Sequence, residues 1–170
     1  MSDKNKNLYY LDELTDYKVD PEYSDVRGWE VMDADNRTVG KVDRLLVNKK
    51  AERVVYLDVE VDKAVIDDGF KAYQIPVSEG VHTFLNKDGD NHLIIPIGMA
   101  TLDEVNKKVT TNQISSSTFA KTKRFKGVDV IDFGYEVYVL SHYVGDPTLN
   151  EITFIDVAFY DRKEFKPLKS

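Results

Sequence analysis

The chain has 170 residues, 42% of them hydrophobic and 31% charged, with a formal charge of -7. That length suits one domain with an appendage and is enough for a self-sufficient core. There is no cysteine, which excludes disulfides, thiolate catalysis and Cys-based zinc sites. The acidic balance withholds the global positive field that nucleic-acid binding draws on, so no DNA partner is expected.

Met1 to Asn7 is polar, with no apolar stretch behind its lysines, unlike a secretion signal. No apolar run approaches the roughly 20 residues needed to span a bilayer. A soluble, cytoplasmic protein without membrane insertion is expected. Residues 1–25 carry Tyr9, Tyr10, Leu11, Leu14, Tyr17 and Tyr23. The spacing of Leu8, Leu11 and Leu14 predicts a helical turn that Asp20-Pro21 stops, and the segment reads as an ordered arm packed on the domain.

From Arg27 the period becomes two. Trp29 and Val31 share a face, and Asp33 to Arg37 is a turn because Asp and Asn bond their own backbone and tolerate left-handed conformations. Val39 to Asn48 is a strand in which Gly40 marks a bulge or close approach. Asn48 to Glu52 turns again. In the next strand Val55, Leu57, Val59 and Val61 alternate with Tyr56, Asp58 and Glu60, the pattern of a half-buried antiparallel strand. Phe70 to Val77 predicts another strand, Ser78 to Asn91 a long loop, Leu93 to Ile97 a strand, and Met99 to Asp103 with Val105 to Thr111 a closing pair. About six strands at short, regular spacing suggest a small barrel or sandwich with a meander-like order.

After Thr111 the character changes. Ser115 to Ser117 can cap a short helix through Phe119 and Ala120. Phe133, Val137, Leu140 and Val144 fall on one helical stripe, and Gly145 with Pro147 stops that helix. Thr153 to Tyr160 predicts a last strand, and Asp161 to Ser170 a frayed, charged tail.

Several stretches in this pattern resemble the PRC-barrel: Val26-Arg-Gly-Trp-Glu-Val-Met-Asp-Ala-Asp, Val39-Gly-Lys-Val, Val54-Val-Tyr-Leu-Asp-Val-Glu-Val and Leu93-Ile-Ile-Pro-Ile-Gly. This is the β-barrel of the photosynthetic reaction-centre H subunit's cytoplasmic domain, found also in ribosome maturation factors. Thr111-Asn-Gln-Ile-Ser-Ser-Ser-Thr-Phe-Ala and a helix ending in Tyr143-Val-Gly look like the H subunit's C-terminal region, which makes that subunit the nearest resemblance. No counterpart of the H subunit's N-terminal membrane helix or of the maturation factor's second domain is expected, and none of the H subunit's proton-relay residues is carried over. The resemblance implies a mainly β fold: a small antiparallel PRC-type barrel over residues 26–111, an N-terminal arm over 1–25, and a C-terminal extension over 112–170 with one or two short helices. It implies a non-catalytic protein-interaction module, with a link to photosynthetic electron transfer by homology only.

The residues themselves offer no competing chemistry. Asp33-x-Asp35-Asn36 resembles the start of a calcium loop, but Thr38 and Arg44 stand where glycine and glutamate are needed, so a hairpin turn is the better reading. Asn86 to Asn91 reads as a solvated turn. His82, His92 and His142 share no metal-ligand spacing and read as surface or rim residues. Neither a nucleophile elbow nor a phosphate-binding glycine motif occurs. Hence no catalytic residue, cofactor or metal is assigned, and the chain is not expected to be an enzyme. Lys121, Lys123, Arg124 and Lys126 form the one basic cluster, either a solvated linker or a patch for an anion. Tyr135, Tyr138 and His142 lie within about 60° on the helix face opposite the apolar stripe. They either pack under the C-terminal strand or contact another protein.

The expected function is therefore protein–protein contact through Tyr135, Tyr138 and His142, with Tyr9 and Tyr10 of the arm, a homodimer being one form of it. An RNA- or ribosome-associated factor is the alternative, resting only on the basic cluster. A small-ligand-binding barrel is the third reading.

Overall fold

A computed structural model describes residues 8–14, 25–62, 92–111, 114, 118, 131, 133–152 and 157–165. The basic cluster Lys121 to Lys126, the strand expected at Phe70 to Val77, the loop before Asn91 with His82, and Tyr17 and Tyr23 lie outside these residues.

The described strands are β1 (Tyr9–Tyr10), β2 (Glu30–Met32), β3 (Thr38–Asn48), β4 (Arg53–Val61), β5 (His92–Pro96), β6 (Thr101–Asp103) and β7 (Lys108–Thr110). They form one seven-stranded sheet in the order β5-β4-β3-β2-β7-β6, with β1 also on β3. β4 runs along one edge of β3, while β2 and β1 divide the other: Glu30 pairs with Lys41, and Tyr10 with Leu46. Tyr9 and Tyr10 of the expected arm are thus tied into the sheet, with a 3-10 turn at Leu11–Glu13 behind them.

Two features depart from a purely antiparallel meander. β7 returns from its hairpin with β6 to pair in parallel with β2, Val109 opposite Val31. Hydrogen bonds among the described residues leave β5 and β6 as the two ends of an open sheet.

Local chemistry explains the two tight turns. The Asp33 carboxylate accepts the N–H groups of Asp35 and Arg37 at 2.8 and 3.0 Å while Asn36 takes a left-handed φ of 62°. Asn48 accepts the N–H of Ala51 at 2.8 Å and Glu52 carries φ 58°. Both are side-chain-closed turns of the kind Asp and Asn favour.

β4 differs from its sequence expectation. Val55, Leu57 and Val59 are fully buried, but so are Tyr56 and Asp58. At Tyr56 the second face is covered by the C-terminal segment, which is sequence-distant and invisible to a period-two reading. Of the strand expected at Thr153 to Tyr160, residues 153–156 lie outside the described ones and the rest falls in a 3-10 turn, Val157–Asp161, followed by another at Lys163–Phe165; Phe165 is fully buried where fraying is expected. The Tyr56 ring meets Tyr160 and Phe165 edge-on, with centroids at 6.4 and 5.3 Å, a geometry worth about 0.5–1.5 kcal/mol per pair beyond area burial. The Arg53 guanidinium fastens the segment by donating to the carbonyls of Tyr160 and Phe165.

The helix α1 spans Phe133–Val144. It buries Val137, Val139, Leu140 and Tyr143, whereas Val144, at the end of the expected stripe, is exposed. The Tyr143 hydroxyl donates to the carbonyl of Ile94 at 2.9 Å and so ties α1 to β5. At its end Gly145 takes φ 72° and the N–H of Asp146 returns to the carbonyl of Ser141 at 3.0 Å, a Schellman-type stop. No helix among the described residues is long and apolar enough to cross a membrane.

Candidate functional site

Positions 135, 138 and 142 are three and four residues apart, so α1 stacks them on one face. The rings of Tyr135 and Tyr138 lie 6.2 Å apart at 29°, and those of Tyr138 and His142 5.8 Å apart at 19°. All three are half-buried, and the two tyrosines lean on the core. The C-terminal turns reach α1 on a neighbouring face, where the Tyr160 hydroxyl donates to the Glu136 carboxylate at 2.5 Å. The result is a preformed ladder of stacked amphipathic rings, two of them packed against the core.

The arm tyrosines divide. Tyr9 is half-buried, with the Lys49 ammonium 4.5 Å above its ring. Tyr10 is buried, and its ring packs on the Arg44 guanidinium at 3.6 Å, so it serves the interior rather than a partner surface.

The structure also assembles a polar cluster that the sequence reading missed. In antiparallel pairs, directly opposed residues share a face. Arg44 on β3 stands opposite Asp58 on β4, and Asp58 opposite Ile94 on β5. His92 opposes Glu60, one diagonal step from Asp58. Far from being a rim residue, His92 is buried, with Nδ1 2.7 Å from Oδ1 of Asp58. The β3–β4 register shifts between Val42 and Arg44, leaving Asp43 as the extra residue of a bulge. A bulge re-aims a side chain; here Asp43 joins Arg44 on the Asp58 side, and Arg44 Nε lies 3.7 Å from both Asp43 Oδ2 and Asp58 Oδ2.

Burial sets the electrostatics. Loss of water pushes the Asp58 carboxyl above its ordinary range, although the His92 hydrogen bond and the charges of His92 and Arg44 pull the other way. For His92, burial lowers the pKa, but the hydrogen bond to Asp58 and the charges of Asp58, Asp43 and Glu60 together raise it. The pair therefore holds its proton more tightly than two separated groups in water. The only sequence signal for it is a carboxylate in mid-strand facing a histidine at the start of another, which a solvent-facing alternation explains equally well.

A family model for the PRC-barrel domain matches residues 21–117, a span that takes in β2 to β7. The chain belongs to the PRC-barrel family. No curated protein matches it. Within this PRC-barrel chain, Asp43, Asp58 and His92 lie inside the matched span, while α1 and its ring ladder lie beyond it.

Proposed function

We propose that the chain is a non-catalytic PRC-barrel module that works by protein–protein contact, using Tyr135, Tyr138 and His142 on α1 as its docking face. The stacked, half-exposed ladder carries this reading: three amphipathic rings, already ordered, offer contact area at low entropic cost. The resemblance of Thr111 to Ala120 and Tyr143-Val-Gly to the reaction-centre H subunit supports a docking role of that kind, and any link to photosynthetic electron transfer rests on that resemblance alone. The acidic charge supports a soluble module.

The test combines light scattering over a concentration series with affinity capture, for the native chain and for Tyr135→Ala/Tyr138→Ala. The native chain should dimerise or capture a defined partner, and the double variant should lose that contact while keeping its fold. A monomer at every concentration whose captured proteins are the same in both forms would remove the basis for the proposal.

A further inference from the structure

We propose that Asp43, Asp58 and His92 form a binding site for a divalent transition-metal ion, zinc being the best match to the donor set. One ligand atom from each residue lies within 4.8 Å of the other two. An ion about 2.0–2.2 Å from imidazole nitrogen and carboxylate oxygen displaces to solvent the proton that His92 and Asp58 share across 2.7 Å and draws the Asp43 carboxylate inward. The side chain able to move is Asp43, which is 43% exposed; the other two are held on adjacent strands.

Asp58 supplies the independent observation. Its side chain is 0% exposed, its Oδ1 is bonded to His92, and its buried Oδ2 has no hydrogen-bond partner. A buried carboxylate oxygen without a donor is costly. Among the described lysines and arginines, the Arg44 guanidinium stands 3.7 Å away, packed against the Tyr10 ring at 3.6 Å. Arg44 offsets part of the charge without filling the oxygen's coordination.

One imidazole and two carboxylates suit zinc or manganese better than calcium or magnesium, which prefer all-oxygen sites. The exposed Asp43 carboxylate is the side of the cluster that meets solvent. Asp43 reaches the site only because of the bulge in β3.

The test uses the full, untagged chain stripped with a chelator, titrated with zinc by calorimetry and with cobalt by visible absorption. One ion should bind per chain, with cobalt bands of mixed nitrogen and oxygen ligation. Asp43→Asn, at a partly exposed position that leaves folding intact, should weaken binding at least about tenfold, the lower range for disturbing even outer-shell groups. Arg44→Gln removes the competing cation and should tighten binding, the reverse of what simple damage to the site would do. Asp103→Asn, on β6, should leave affinity unchanged. Equal affinity in the native chain and Asp43→Asn, or the absence of saturable one-to-one binding, would overturn the assignment.

Discussion

A methyl group at position 40 would sit 1.9 Å from the carbonyl oxygen of Glu60, closer than any real contact. β3 and β4 can lie at hydrogen-bonding distance there because Gly40 has no side chain. The neighbour is backbone and cannot swing aside, so Gly40→Ala is expected to cost about 3 kcal/mol or more, the upper range for overpacking. A urea midpoint that falls with unchanged slope would show it. The opposite case is Tyr56. Its hydroxyl is buried without a hydrogen-bond partner, and burial, reinforced by the Glu136 carboxylate and Tyr160, holds its pKa well above the ordinary value. An unfolded tyrosine releases its proton near about 10. Above that pH the folded state holds a proton that the unfolded state has lost, so stability is intact below it and falls as pH rises further. Tyr56→Phe should flatten that alkaline fall and cost no more than about 1 kcal/mol at pH 7, since the hydroxyl lies beside the Glu136 carboxylate without a hydrogen bond of ordinary geometry. Denaturant midpoints of both forms measured across alkaline pH check the sign; an unchanged slope would refute it.

At the scale of elements, the C-terminal turns close the face of β4 that carries Tyr56. Phe165 is fully buried and touches the rings of Tyr56, Phe159 and Tyr160 with centroids 5.2–5.3 Å away. Phe165→Ala should therefore cost about 3–5 kcal/mol, the usual range for emptying a buried aromatic site, measurable as a large drop in the urea midpoint. A frayed tail would predict almost no effect. This element also shows what sequence conveys. β2, β3 and β4 were legible because β-branched residues alternate between turns whose Asp and Asn close on their own backbone. Gly40 was legible because a lone glycine in a strand implies close approach. Tyr56 and Asp58 were not, since alternation reports only that two faces differ. What covers Tyr56 on the second face is Tyr160 and Phe165, a hundred residues on. The cluster at Asp58 depended further on a bulge and on pairing between β4 and β5, neither of which leaves a local signature. The ring ladder was the part of the candidate site most open to reading, because helical spacing alone puts positions 135, 138 and 142 on one face.

For the whole molecule, net charge and the ladder make opposing demands. Two copies carrying -7 each repel one another, and this repulsion reaches about 10 Å at 0.1 M salt but only about 3 Å at 1 M. Contact between aromatic faces is short-ranged and is not weakened by simple screening. If α1 is the docking face between copies of this chain, the dimer should tighten as salt rises, and Tyr138→Ala should lower the dimer fraction at every salt concentration. An electrostatic contact has the reverse sign: binding of an acidic partner or RNA through Lys121 to Lys126 weakens with salt as counterions reclaim the charges. Light scattering at low and high salt, on the native chain and Tyr138→Ala, therefore separates the two modes by the direction of the change. A dimer that dissolves at high salt and ignores Tyr138→Ala would move the interface away from α1 and onto charged surface.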